Sequence, residues 1–301
     1  MALRHSLIGE LSSVLMHFIK YHGLGNDFIV LMASSPPRKS DDAPLDASVV
    51  SRLCARGAGV GADGVIVARP SIDATVAMEI YNRDGSQPEM CGNGIRCLVK
   101  YAVEVLGCVA QPLIVETGAG LLRCGYELDA SGHVSHVSVD MGKISFLRSR
   151  VPMLPASDGA LDAVDIPLQV QDRVLRVTGV NVGNPHMVIF GDSGRGLAER
   201  WGPVLTHHEE WVDGTNVEFA RIVSPQEIHL TVWERGCGLT QACGTGATAT
   251  AAAAVRLGHC DAGAPIAVHL PGGLLHITVS SQCDSAEMRG PAVEVFRGQM
   301  T

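Results

Sequence analysis

A cysteine followed by Gly-x-Gly occurs twice in the chain, in "MCGNGIRC" at Cys91 and in "QACGTGA" at Cys243, 243 − 91 = 152 positions apart in 301 residues. Sliding the sequence by that interval places Tyr81 on Trp233, Asn82 on Glu234, Arg83 on Arg235, Gly92 on Gly244 and Gly94 on Gly246. Chance can align short glycine-rich pieces. Here a strand, a loop, a cysteine and a helix agree together, so duplicated architecture is the better account. Each cysteine lies nine residues after a polar group that ends a strand, and a helix pattern follows each.

The surrounding patterns fit two copies of one plan. "HFIKYHGLGNDFIVL" reads as strand, turn and strand, and a polar, Pro-rich loop over 34–46 follows. "GVIVARP", "ATVAMEIY", "PLIVETGAG" and "HVSHVSVDMG" read as strands, being rich in β-branched residues and bounded by turn formers. Residues 92–106 carry apolar positions at helical spacing and stop at Gly107. The Pro/Asp/Gly-rich stretch 152–167 reads as a surface connection. "NVGNPHMVIF" and "EIHLTVWE" are strands of the second copy, "GTGATATAAAAVRL" is its helix, and "APIAVHL", "LLHITVS" and "AVEVF" follow as strands. That second helix has no polar face from Gly246 to Val255, so it should be buried all round. Its small side chains would let strands approach closely. The expected fold is α+β: two pseudo-symmetric domains, each a curled, mostly antiparallel sheet around a central helix. The expected limits are an extension over 1–15, domains over 16–136 and 137–289, and a strand near 290–301 that returns to the first domain.

Composition narrows the function. The net charge is −8, with no basic run and no basic–aromatic interleaving, which argues against nucleic acid. Nine cysteines with no C-x-x-C pair and no histidine pair at finger spacing argue against structural zinc or a disulfide framework, so free thiols and a cytoplasmic location are expected. The first fifteen residues have short apolar pieces broken by Glu10 and no small-residue cleavage site, and Met16 could be an alternative start. No apolar run reaches the roughly 18 residues of a membrane span.

A helix N-terminus exposes unpaired N–H groups and carries about half a positive charge. Such an end binds anions and should lower a thiol's pKa from about 8.5. If the repeat brings both ends to one cleft, two thiols flank one carboxylate. One, as thiolate, removes the neighbouring α-proton; the other delivers a proton to the opposite face, while the amides stabilise the intermediate. No lysine site for pyridoxal phosphate and no metal cluster is evident. The reading is therefore a cofactor-independent racemase or epimerase acting on a small molecule. "GTGATA" also fits part of a dinucleotide fingerprint, but a nine-residue loop separates it from its strand and no acid ends a following strand.

"HGLGNDF", "YNRDGS", "MCGNGIRC", "GNPH", "GTNVEF", "ERGCGLTQACGTGA" and "LPGG" together resemble the diaminopimelate epimerase family, in its order, from Met16 to the C-terminus. The resemblance implies that Cys91 and Cys243 deprotonate and reprotonate the substrate, which LL-2,6-diaminopimelate and its meso form would be. It implies α-carboxylate contacts at Gly92, Asn93, Gly244 and Thr245. Binding residues carry over to Asn26, Asn82, Asn184, Asn216, Glu234 and Arg235, and His186 and Glu234 are similar to residues near the reacting centre. Arg235 and the asparagines suit the far amino acid end of the substrate. Gly64 stands where some members have a substrate-binding Gln. No cofactor, no metal and a homodimer are expected. The rivals are a racemase of the same fold acting on proline or histidine, and a thiol redox or binding protein in which Cys91 and Cys243 form a reversible disulfide.

Overall fold

The architecture comes from a computed structural model that describes residues 16–33, 45–88 and 90–300. The extension expected over 1–15, and most of the loop expected over 34–46, lie outside the described residues. The first copy runs β1 (Met16–Gly23), β2 (Asn26–Met32), α1 (Ala47–Cys54), β3 (Gly64–Arg69), β4 (Val76–Asn82), α2 (Gly92–Glu104), β5 (Leu113–Thr117), β6 (Gly120–Leu128) and β7 (Val134–Lys143). The second runs β8 (Ile166–Val170), β9 (Arg173–Asn181), β10 (Pro185–Phe190), α3 (Arg195–Leu205), β11 (Asn216–Ser224), β12 (Glu227–Glu234), β13 (Gly238–Leu239), α4 (Gly244–Arg256), β14 (Pro265–Leu270), β15 (Gly273–Val279) and β16 (Ser285–Pro291). β17 (Val293–Met300) closes the chain.

Successive pairings trace one curled sheet: β17 on β1, then β2 to β7 in order, then β16, β15, β14, β12, β11, β10, β9 and β8. The copies match pairing for pairing. β2–β3 and β10–β11 are parallel, β3–β4 and β11–β12 antiparallel, β4–β5 and β12–β14 parallel. Their registers agree too, with Val65 opposite Tyr81 and Val217 opposite Trp233, each pair 152 apart from its mate. Both central helices have 13 residues. β7, which contains the expected 136/137 boundary, meets its own mate β16 and so joins the two halves edge to edge.

Local chemistry explains the elements. The β1–β2 hairpin turns on Leu24 and Gly25, both at positive φ (57° and 82°), as a two-residue loop matched to strand twist requires. Each central helix stops at a glycine in the left-handed region, Gly107 and Gly258, where the next amide reaches back to Ala102 and Ala254. α4 is buried from Gly246 to Ala254, as its lack of a polar face requires. α2 is as deeply set but encloses Arg96 and Lys100. The Arg96 guanidinium donates to the carbonyls of Gly92 and Pro291 and to Asn93 Oδ1, and Lys100 donates to Val134 O and Glu104.

Several elements differ from the sequence reading. "PLIVETGAG" is a strand and a turn, since Gly120 at φ 112° starts β6. α1 and α3 interrupt the strand patterns, covering the outside of each half over cores centred on Val50 and Leu205. Within 152–167, Met153 and Ala163 are buried in the second of these cores, so that stretch packs as well as connects.

Candidate active site

The two helix N-termini meet. A Cβ added to Gly92 or to Gly244 would lie 3.6 Å from the other's Cα, and at Gly244 also 2.8 Å from Met288 sulfur. The two ends are thus within van der Waals contact, and at Gly244 a side chain would in addition have to displace Met288. "LPGG" and "HGLGNDF" make the adjoining contact: a Cβ at Gly272 would lie 2.0 Å from Leu24 O, and Gly272 N–H donates to Gln241 O at 2.8 Å. Asn93 crosses the same seam, its side-chain amide donating to Asn26 Oδ1 and to Ala242 O at 3.1 and 3.0 Å.

Above this floor is a cavity of about 460 Å³, lined among others by Asn26, Cys91, Gly92, Asn93, Asn184, Glu234, Arg235, Cys243, Gly244 and Thr245. Cys91 and Cys243 are the N-caps of α2 and α4, both with extended backbone. Cys243 Sγ accepts from Gly246 N–H at 3.4 Å and lies 3.5 Å from Thr245 Oγ1; Cys91 Sγ lies 3.9 Å from Asn26 Oδ1. Arg235 takes its backbone N–H to Asn216 Oδ1 at 2.8 Å and donates from Nη1 to Asp213 O. Among the described residues, Nε and Nη2 of its guanidinium have no partner. Glu234 accepts from Thr240 Oγ1 at 2.6 Å.

Three expected residues lie outside the lining. Asn216 is buried behind Arg235. Asn82 closes an exposed turn, donating to Ser86 Oγ. His186 is fully buried, with Nε2 2.7 Å from Asn184 Oδ1 and Nδ1 2.7 Å from Glu218 Oε1. Glu218, absent from the sequence reading, completes a line from Asn184 at the cavity wall into the core. A Cβ at Gly246 would lie 3.0 Å from Glu218 Oε1, so this carboxylate sits against the first turn of α4. In the sequence it stands inside the "GTNVEF" stretch, an acid between the buried Val217 and Phe219. At Gly64, a Cβ would lie 2.5 Å from Tyr81 O, so no side chain enters there without a backbone shift.

One expectation is reversed. The helix ends were expected to lower the thiol pKa values, yet both thiols are raised, Cys243 well above the ordinary value, first because burial disfavours the thiolate. The Glu234 carboxylate adds to this at both sulfurs, against the pull of the helix amides. Burial likewise raises Glu218 and Glu234. All nine cysteines are free.

The family model described as diaminopimelate epimerase matches residues 18–147 and 178–295. The chain is 45% identical over 287 residues to a diaminopimelate epimerase from Heliobacterium modesticaldum, covering 95% of this chain and 99% of that one. It is 42% identical over 284 residues to the enzyme of that name from Moorella thermoacetica, with 94% and 98% covered. Among solved structures, a hydroxyproline epimerase from Agrobacterium vitis superposes with a TM-score of 0.68 at 15% identity, over 95% of this chain and 91% of that one. A PhzF-family phenazine biosynthesis protein from Bacillus anthracis gives 0.67 at 14%, over 96% and 99%. At these identities the two structures speak for the fold alone.

Proposed function

The chain belongs to the diaminopimelate epimerase family, and from that membership we propose that it interconverts LL- and meso-2,6-diaminopimelate by a two-thiol proton transfer without a cofactor. The observation that carries the mechanism is the meeting of two cysteine-capped helix ends at the floor of one cavity. A carboxylate seated on the amides of Gly92, Asn93, Gly244 and Thr245 places its α-carbon between the sulfurs. One thiolate takes the α-proton, the opposite thiol returns one from the other face, and the charge that spreads into the carboxylate is met by fixed N–H dipoles. Arg235, with two nitrogens to offer, and Asn184 hold the distal amino acid group, with Asn26 between; Asn216 and Asn82 fix the chain around them. Burial raises both thiols, so a thiolate must arise by local transfer, and Glu234, which lines the same cavity and whose charge acts on both sulfurs, is the acceptor in this reading. His186 supports Asn184 from behind.

The two halves, 16–136 with β17 and 137–289, act in this reading as domains that close on substrate and exclude water. The protein works as a cytoplasmic homodimer whose product serves lysine and peptidoglycan synthesis. Val293, Val295 and Phe296, all exposed on the edge strand β17, form the apolar surface for that pairing. The test is LL-diaminopimelate in heavy water with reductant and no added cofactor, with proline as the control. Deuterium should enter the α-position as stereochemistry inverts. Cys91→Ser or Cys243→Ser should each cut inversion by about 10²–10⁴-fold, the range for a positioned acid or base. Exchange with proline only, or normal rates in either variant, would refute the reading.

A further inference from the structure

On the outer face of the sheet, where β12 meets β14, three side chains converge. Parallel pairing sets His229 opposite His269 and Glu227 opposite Ala267. Residues alternate between faces. Ile228 and Val268 face the α4 core fully buried, so Glu227, His229 and His269 share the outer side. One donor atom from each lies within 4.8 Å of the others. His269 Nε2 is 3.3 Å and His229 Nε2 3.6 Å from the same oxygen, Glu227 Oε1. Ligands held at about 2.0–2.1 Å in a tetrahedral zinc shell are about 3.4 Å from one another.

A plain ion-pair cluster would aim a ring N–H at the carboxylate. Among the described residues, neither ring has a hydrogen bond to Glu227; the one hydrogen bond at these rings runs from Arg221 Nη2 to His229 Nδ1, at 3.1 Å. The rings are 5.0 Å apart and tilted by 53°, so they converge without stacking. Their side chains are 41% and 42% exposed and that of Glu227 39%, which leaves the common point open to solvent.

We propose that Glu227 Oε1, His229 Nε2 and His269 Nε2 bind a zinc ion, with water completing the shell. Two imidazoles and one carboxylate suit zinc and its neighbours nickel and copper, whereas magnesium and calcium call for oxygen ligands. The ion would tie β12 to β14, strands that the chain separates by the whole of α4. Ligation through Nε2 leaves the His229 proton on Nδ1, so the Arg221 guanidinium must swing away, as its exposed position allows. Arg221 is therefore a competitor for the site. Glu234 ends β12 seven residues from Glu227, about 23 Å along an extended strand. The ion thus acts as a staple, remote from the chemistry.

Zinc also binds thiols, so the test removes the two in the cavity. Calorimetric titration of the Cys91→Ser, Cys243→Ser protein with zinc should show one site per chain in the micromolar range. His229→Ala or His269→Ala should weaken it about 100-fold, and Arg221→Gln should tighten it. Cobalt bound in place of zinc should show weak visible bands without the intense near-ultraviolet absorption of thiolate ligation. In the protein with its cysteines intact, both histidine variants should keep full epimerase activity, which verifies their folding and separates this inference from the catalytic one. Zinc binding unchanged in the histidine variants, thiolate-type cobalt spectra, or no binding at micromolar zinc would each overturn it.

Discussion

Glu218 shows how a single buried acid can tune the site without touching substrate. Its Oε1 holds His186 Nδ1 while its Oε2, buried, has no partner among the described residues. Its charge adds to the burial that keeps Cys243 protonated. Removing that charge in Glu218→Gln should lower the Cys243 pKa. In the proposed mechanism, when Cys243 is the base, the acid limb of the kcat/KM profile falls at the pH where its thiolate forms; when it is the acid, the alkaline limb does. Both limbs should move to lower pH. The maximum rate should fall about tenfold, because losing a buried charged hydrogen bond costs about 1–3 kcal/mol. Profiles in both reaction directions check this, and a uniform loss of rate with no shift would reduce Glu218 to a structural role. Cys91, Cys243 and the glycines beside them were legible in the sequence because they repeat. Glu218 was not, since its mate in the first copy is Ile66 and the repeat gives no cue for a polar residue there.

The meeting of α2 and α4 is set by the smallest residues in the chain. Gly244→Ala would put a methyl group 2.8 Å from Met288 sulfur and 3.6 Å from Gly92 Cα. Met288 is fully buried and can yield only by repacking. Overpacking of this kind costs about 1–3 kcal/mol. Displacing Met288 would also shift the α4 end, whose amides the proposed mechanism aims at the substrate carboxylate. The variant should remain folded with a lowered Tm and lose at least about tenfold in kcat/KM, since one misaimed donor can cost 10²–10³. Calorimetry and steady-state kinetics check the pair of effects; wild-type kinetics would mean that the ends need not abut. The helices themselves were legible from their periodicity and terminal glycines. α1 and α3 stand outside the sequence reading because each is short, although each has an apolar side, Val50, Leu53 and Cys54 in α1 and Leu197, Ala198, Trp201 and Leu205 in α3.

At the scale of the molecule, β17 leaves three large apolar side chains in solvent along an edge of the sheet. An exposed edge of that composition invites pairing with a second copy. Phe296→Asp with Val295→Lys should convert the proposed dimer into a monomer, as sedimentation velocity would read; a wild-type sedimentation coefficient for the variant would place the interface elsewhere.

The sequence by itself determined that the chain is a duplication and that each copy carries a cysteine at the start of a buried helix, and on these rests the proposal of proton transfer beside a carboxylate. Those facts are local: a repeat interval, a periodicity and a cap residue can be read along one dimension. Only the tertiary structure decided that the helix ends touch, that burial outweighs the helix amides and raises both thiols, and that Asn82, Asn216 and His186 stand behind or beside the cavity. It also brought Glu227 and His229 to His269, forty residues on. These depend on distance and solvent exclusion. Strand register and packing fix both, and neither leaves a mark on the order of residues.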